Sequence, residues 1–433
     1  MPEIKAFRGW RYDPGKVKNF SAVCAPPYDV ISPKEQGALY RKSPYNVIRL
    51  ELGKKERGDS ARRNSYTRAS DFLRRWKSDG VLVRESMPAL YVYRQDWGDG
   101  GRPYSRLGFL AAMTIDEKAV LKHENTLAGP KKDRLALLKE TRTNLSPIWG
   151  LFEDGDRRVG RALGQTLKTR PAVDIAPDGV RHRLYVETRP GVVDAVADAM
   201  RRKPMFIADG HHRFEVSCRF RDWMRSQRPH GNGDAAWERV LVYFSDCLHH
   251  SFKIYPTHRL IRTEKKGGAL LGALEKAGAL RPARDLSDIL GRLSKCRPPL
   301  RRRRTGAPAY DFGVYAGGKK FYRLTLDPRR LSENGRPTLV DRLDVSALHR
   351  RVLEPCYGIR EVEKSRAIDF TRDPREAVRR VRRGEFDLAF FLRPTSLAEM
   401  IEVSRKNLKM PQKSTYFYPK LLSGLVFHGL DDD

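Results

Sequence analysis

The sequence predicts an α/β fold with mixed sheets, and three features carry that prediction. Short runs of alternating apolar residues recur through the first half of the chain, stretches of helical spacing separate them, and glycine, proline or polar residues stand at the junctions. Alternation with period two marks half-buried strands, and an i, i+3, i+4 pattern marks helices packed by one face. Strands are expected at Ala89–Tyr93, Leu107–Met113, Pro147–Phe152, Leu184–Glu187, Met205–Ala208 and Val240–Phe244. Helices are expected between them at Tyr66–Lys77, Lys132–Arg142, Arg157–Leu167, Val192–Arg202 and His212–Gln227.

Residues 1–260 thus read as one α/β region, and residues 261–433 as a second. The second opens with helices at Gly267–Ala277 and Leu286–Lys295 and crosses a loop from Cys296 to Pro308 with four consecutive arginines, Arg301 to Arg304. Two alternating strands follow at Tyr310–Tyr315 and Phe321–Leu326, then helices at Val345–Leu353, Arg375–Val381 and Leu397–Arg405 and a strand at Asp387–Leu392. Two adjacent prolines and the arginine run make the 296–308 loop the least core-like segment, expected to be mobile. The stretch Met410–Lys420 is too polar and aromatic for a tail and is expected to return and line a site.

Composition bounds the function. A chain of 433 residues exceeds what one hydrophobic core usually organises, which favours two or three domains. No apolar run approaches the roughly 18 residues of a membrane helix, and the start Met1-Pro2-Glu3-Ile4-Lys5 has no secretory or lipidation signature, so a cytoplasmic location is expected. Five scattered cysteines (Cys24, Cys218, Cys247, Cys296, Cys356) include no CxxC pair and read as reduced core thiols. Lysine and arginine total 85 against 53 acidic residues, a net charge of +32 that favours anionic partners such as nucleotides or nucleic acid. Basic stretches without interleaved aromatics, such as Arg379, Arg380, Arg382 and Arg383, more often form a solvated surface.

The strongest chemical signal is the turn Asp209-Gly210-His211-His212-Arg213. It joins a buried strand to a helix whose apolar face is Phe214, Val216, Cys218, Phe220 and Trp223. Such a junction gathers unpaired backbone N–H groups and the positive end of the helix dipole at one point, where anions bind. Gly210 permits close approach or a positive φ, Asp209 can cap the helix or hold a metal bound to phosphate, and Arg213 offers a two-pronged guanidinium. His211 and His212 add donors whose charge changes near neutral pH.

A second cluster lies upstream, where Lys122-His123-Glu124 ends a strand-like stretch and Gly129 to Arg134 opens a helix. Phosphoryl transfer needs a positioned acceptor oxygen, a carboxylate for its proton and cations over the developing charge, parts that Glu124, Lys131 and Arg134 are able to supply. The rigid loops at Ala25–Ile31, with Tyr28 and Asp29, and at Ser43–Glu51 either line a pocket or turn a corner, and Pro256-Thr257-His258-Arg259 is a polar group of the same kind.

Seven segments together resemble the prokaryotic domain of unknown function 1015 family: APPYDVIS from Ala25, SPYNVIRLELG from Ser43, HENTLAGPKKDRL from His123, NLSPIWGLFED from Asn144, ADGHHRFE from Ala208, PTHRL from Pro256 and MPQKSTYFYPKLLSGLV from Met410. The pair LKHE and DGHHR also resembles the two boxes of the ParB and sulfiredoxin superfamily, and within it resembles the free-serine kinases more closely. That resemblance implies a ParB/sulfiredoxin-like nucleotide-binding core and transfer of a phosphoryl group from ATP or ADP, with Mg2+, to free L-serine or a similar small hydroxyl compound. It implies Glu124 as the base for the hydroxyl proton, with His123 beside it. Asp209, Gly210, His211, His212 and Arg213 would grip nucleotide and magnesium, the metal on Asp209, and Lys131, Arg134, Asn144, Tyr28 and Asp29 would face the substrate. The chain departs from those kinases in carrying Lys122 where they usually show proline, in the wider spacing of its two boxes and in its length.

Two other functions suit the same residues. One is a non-catalytic nucleotide switch that binds nucleic acid, as the charge allows, although no helix-turn-helix, RNA-binding or zinc signature accompanies it. The other is a hydrolase in which His123, Glu124, Asp209, His211 and His212 hold a metal directly, although no recognised ligand spacing such as HExxH is present.

Overall fold

Runs such as Val240–Phe244 and Phe109–Met113 are apolar at every position, the pattern of strands covered on both faces. They form the centre of a nine-stranded mixed sheet. The computed structural model describes residues 3–125, 128–228, 234–248, 252–294, 310–327, 338–362 and 365–431. The chain divides into two compact units, the first made of Met1–Leu121, Thr126–Lys253 and Pro419–Asp433, the second of Lys122–Asn125 and Ile254–Tyr418.

In the first unit the strands of the large sheet are β1 (Ile4–Lys5), β2 (Leu90–Asp99), β3 (Arg102–Thr114), β4 (Val120–Leu121), β5 (Ile148–Phe152), β6 (Val173–Ile175), β7 (Arg181–Glu187), β8 (Met205–Asp209) and β9 (Arg239–Asp246). Their spatial order is β4-β8-β5-β9-β3-β2-β7-β6, with β1 added beside β3. β8 runs parallel to β4 and β9 parallel to β5, while the remaining ladders are antiparallel, so the sheet is mixed as expected. Five helices flank these strands: α1 (Ser65–Ser78), α2 (Ala128–Thr141), α3 (Arg158–Thr166), α4 (Pro190–Met200) and α5 (His211–Gln227).

Helix α5 is held from two sides. Phe214 and Cys218 join the sheet core with Met205, Ile207, Val242 and Phe244, while Val216, Phe220 and Met224 pack with Leu138 of α2, Trp237 and Leu430. Burial on opposite faces fixes both the axis and the rotation of this helix, and so the direction in which its first turn points. The C-terminal segment is built into the same unit: His428–Gly429 pairs with Thr143–Asn144, and single bridges join Ser423 to Ala25 and Phe427 to Trp10.

The second unit carries six antiparallel strands, β10 (His258–Ile261), β11 (Ala279–Ala283), β12 (Tyr310–Tyr315), β13 (Phe321–Leu326), β14 (Ile368–Thr371) and β15 (Leu388–Phe391), in the order β11-β13-β12-β15-β10-β14. Their core includes Leu260, Tyr315, Ala389 and Phe391, covered by Ile289 and Leu293 of the helix Leu286–Leu293 and by Ala377, Val378 and Val381 of the helix Pro374–Arg382. The expected helix at Val345–Leu353 is an α-turn, Asp344–Leu348, that continues as a π-helix over His349–Leu353. The arginine loop, with Cys296, lies outside the described residues. The other four cysteines are buried thiols outside any disulfide among the described residues, in accord with their reading as core thiols.

Candidate functional site

β8 ends at Asp209, and one residue later α5 begins. The chain turns this tightly because Gly210 sits at φ +93°, in the left-handed region. A Cβ there would stand 3.0–3.2 Å from the Arg213 guanidinium, so the position favours glycine for space as well as for backbone. Gly210 is itself the N-cap, and no side chain caps the 17-residue helix. The expected capping by Asp209 is therefore corrected, since the carboxylate is turned to other partners.

Those partners are two cations. The Arg213 guanidinium donates to Asp209 Oδ2 at 2.6 Å, and the Lys420 ammonium donates to Oδ1. Arg213 also donates to the Pro147 carbonyl, which ties the first turn of α5 to the start of β5. All three charged side chains are largely withdrawn from water, with exposures of 12% for Arg213, 15% for Asp209 and 13% for Lys420. Burial works against the charge of Arg213, but Asp209, Asp29, Tyr28 and Glu51 outweigh it and raise its pKa. The guanidinium is thus a permanent cation at the positive end of a helix dipole.

Lys420 reaches this point because the backbone before it is pinned. Fully buried Arg106, stacked 3.8 Å over the Trp149 ring, donates to the Pro419 carbonyl at 2.7 Å, and Gln95 donates to the Lys420 carbonyl at 3.0 Å. Lys420 belongs to the C-terminal segment that the sequence analysis expects to return to a site, and nothing in the composition of that segment points to Asp209.

The substrate-side residues chosen from the sequence gather in the same unit. Arg134 lies 4.3 Å over the Tyr28 ring and donates to Asp133 at 2.8 Å and to the Glu51 carbonyl at 2.6 Å. Burial pushes the Tyr28 phenol up to about 12 against the pull of Arg213. Asp29, beside it, is exposed. Lys131 pairs with Glu215 of α5 at 3.0 Å. Asn144 uses its amide oxygen on the Leu241 N–H at 2.8 Å, which gives it a structural task on the backbone of β9. Arg134, Asn144 and Arg213 line one cavity of about 50 Å3, together with Glu51, Ser146 and Ser217. His211 is buried and His212 half-buried, in the first two positions of α5.

His123 and Glu124 belong to the second unit. There His123 is fully buried, its Nε2 3.3 Å from Thr415 Oγ1 and its carbonyl accepting from Met410 N–H at 2.8 Å. Glu124 Oε1 accepts from the Lys413 N–H at 3.0 Å, and residue 124 bridges Met410 in parallel. His258 and Arg259, singled out as polar, are buried in β10. Burial lowers the His258 pKa to about 3 and that of Arg259 to about 10, and Arg259 donates to the carbonyls of Thr257 and Lys413.

A magnesium ion held directly by Asp209 does not fit this arrangement. Each carboxylate oxygen already faces a cation, and a further positive charge would have to displace one of them. Among the described residues no group of three or more His, Cys, Asp or Glu side chains is placed to hold a metal. Within the first unit, Asp209, His211 and His212 therefore do not form a ligand set by themselves.

The turn at 209–213, the loop at Tyr28 and the segment at 419–426 thus meet in one unit, and all three carry motifs of the same family. The family profile described as "Protein of unknown function (DUF1015)" matches residues 4–346. The chain belongs to the DUF1015 family. No curated protein matches this DUF1015 member. Among solved structures it is similar to a conserved hypothetical protein from Pyrococcus furiosus, at 12% identity and a TM-score of 0.34, over 71% of this chain and 90% of the other. A free serine kinase in complex with AMP is similar at 12% identity and a TM-score of 0.33, over 71% and 86%. SbnI with a C-terminal truncation, from Staphylococcus aureus, is similar at 10% identity and a TM-score of 0.35, over 72% and 85%. Among the described residues no helix is long and apolar enough to cross a membrane.

Proposed function

We propose that this DUF1015 protein binds a nucleotide by its phosphates at the turn Asp209–Arg213 and transfers a phosphoryl group to free L-serine or a similar small hydroxyl compound. The observation that carries the reading is the junction itself: a left-handed glycine between a buried strand and a 17-residue helix without a side-chain cap, with a buried guanidinium on its first turn. Backbone N–H groups and dipole supply the anion site, and Arg213 adds a charged donor that does not titrate. Asp209 acts here by orienting Arg213 and Lys420, and magnesium enters only as the counter-ion of the nucleotide's own phosphates.

Glu124, with His123, is assigned as the base for the acceptor hydroxyl by the resemblance of LKHE to the kinase box. Tyr28, Asp29, Lys131, Arg134 and Asn144 are assigned to the substrate side. ATP or ADP is the donor. Two measurements test the assignment. Calorimetry with ATP, ADP and CTP in the presence of magnesium should give heat that Arg213→Ala removes, and labelled ATP with a panel of hydroxyl amino acids should yield phosphoserine that Glu124→Ala abolishes. Absence of nucleotide heat, or an Arg213→Ala variant equal to wild type, refutes it.

The net charge of +32 supports a second reading, a nucleotide switch on nucleic acid. Several surface arginines are paired locally, Arg380 with Asp369 and Glu385, Arg379 with Asp373 and Arg292 with Asp288, which weakens that reading. A salt-sensitive shift of DNA mobility together with no turnover would favour the switch.

A further inference from the structure

The cavity beside Arg213 contains a group that the kinase reading leaves unused. Glu51 closes the short helix Ile48–Glu51 and is only 3% exposed. One of its carboxylate oxygens, Oε1, accepts from Ser146 Oγ at 2.9 Å and lies 3.9 Å from the Arg134 guanidinium. The other, Oε2, is buried and has no hydrogen-bond donor among the described residues. A carboxylate is an acceptor on both oxygens, and buried acceptors are almost always matched. Here the mismatch borders a cavity of about 50 Å3 whose polar lining also includes Arg134, Asn144, Ser146, Arg213 and Ser217.

We propose that Glu51 is the specificity-determining residue of this cavity, its Oε2 receiving the ammonium group of a small amine-bearing ligand of the size of an amino acid or amino alcohol. Three observations converge on that class. The unmatched atom is an anionic acceptor, so its complement is a cationic or neutral donor, and an ammonium is the donor that also offsets the charge. Arg134 and Arg213 in the same lining favour a ligand that carries an anionic group beside its amine, which a zwitterion does. A volume of about 50 Å3 is on the scale of an ammonium head with its neighbouring group and far below that of a nucleobase pocket. The inference deepens the substrate side of the proposed function, but it requires only binding and stands apart from phosphoryl transfer.

The full chain would be titrated by calorimetry with L-serine, with ethanolamine, which keeps the amine and lacks the carboxylate, and with glycerate, which keeps the carboxylate and lacks the amine. L-serine and ethanolamine should bind and glycerate should bind at least tenfold more weakly. Glu51→Gln, which preserves shape and the bond from Ser146, should weaken the two amines by about tenfold to a hundredfold, the scale of one charge-assisted hydrogen bond, and leave glycerate unchanged. Glu51→Asp, which keeps the charge on a shorter arm, should fall between, and provides the comparison if the glutamine variant does not fold. Equal affinity for glycerate and L-serine, no binding of any amine, or loss of all three ligands together in Glu51→Gln overturns the proposal. ATP heat measured on the same samples separates the two ideas: intact ATP binding with no amine preference sinks only the role of Glu51, whereas amine binding without ATP heat sinks only the nucleotide site.

Discussion

Replacing Gly210 with alanine attacks the turn without removing any charged group. The residue sits at φ +93°, ψ 28°, where an L-residue with a Cβ costs about 1–2 kcal/mol. The new methyl would also lie 3.0 Å from Arg213 Nε and 3.1 Å from Cζ, tighter than ordinary van der Waals contact, so the guanidinium has to move by a few tenths of an ångström. That movement strains the 2.6 Å bond to Asp209 and turns the donors away from the direction set by the first turn of α5. The expected outcome is an unfolding transition about 2–8 °C lower, from the stability loss spread over a unit of this size. Nucleotide affinity should fall by about tenfold to a hundredfold, the scale of one charged hydrogen bond. Gly164→Ala provides the control: Gly164 lies inside α3 at ordinary φ with nothing within 4 Å of the added atom, so this change should raise stability by about 0.5–1 kcal/mol and leave nucleotide binding alone. Differential scanning calorimetry and nucleotide titration on the two variants decide the matter. If Gly210→Ala bound ATP as tightly as Gly164→Ala, the strand-to-helix turn would not be the phosphate site.

Two more outcomes follow from the geometry. Lys420→Met removes one of the two cations on Asp209 and should destabilise the first unit by roughly 1–3 kcal/mol, between the values for surface and fully buried pairs; in the Asp209→Asn background the same change should cost much less, and additive losses in denaturant melts would show that the two residues do not interact. The first unit should also lose stability in acid because of His182, which is buried with its ring beside Tyr93 and whose pKa burial, assisted by the Arg106 charge, lowers to about 3. The folded pKa lies below the unfolded one, so the unfolded chain takes up the proton first, and stability falls as pH drops from about 6.5 towards 3, by about 2 kcal/mol at pH 5. His182→Gln should flatten the pH 5–7 dependence of the melting temperature, and an unaltered slope would assign the acid lability elsewhere.

The periodic elements were legible because each depends on its own neighbours. The strands at 107–113, 205–208 and 240–244 and the helices at 66–77 and 212–227 are found within a few residues of their expected places, since a continuous apolar run or an amphipathic stripe is dictated locally by the need to bury one or both faces. What escaped were short or irregular strands. Ala279–Ala283 contains Pro282, which reads as a break, but it forms the edge of its sheet, where a missing N–H costs no ladder bond. His258–Ile261 reads as a polar turn because it carries a histidine and an arginine, yet both are buried.

At the candidate site the sequence by itself determined the tight turn: only glycine suits the left-handed bend at 210, and a buried strand followed at once by a helix must place a dipole there. It also set out Tyr28, Lys131, Arg134, Asn144 and Arg213 as residues of interest, by residue type and by motif. Only the tertiary structure decided that Lys420 sits on Asp209, 211 positions away, that Glu51 lies buried against Ser146, and that Asn144 serves the backbone of Leu241. Pairings of this kind arise from how separate segments pack, because a side chain's partner across a core is chosen by the path of the backbone and not by its neighbours in sequence.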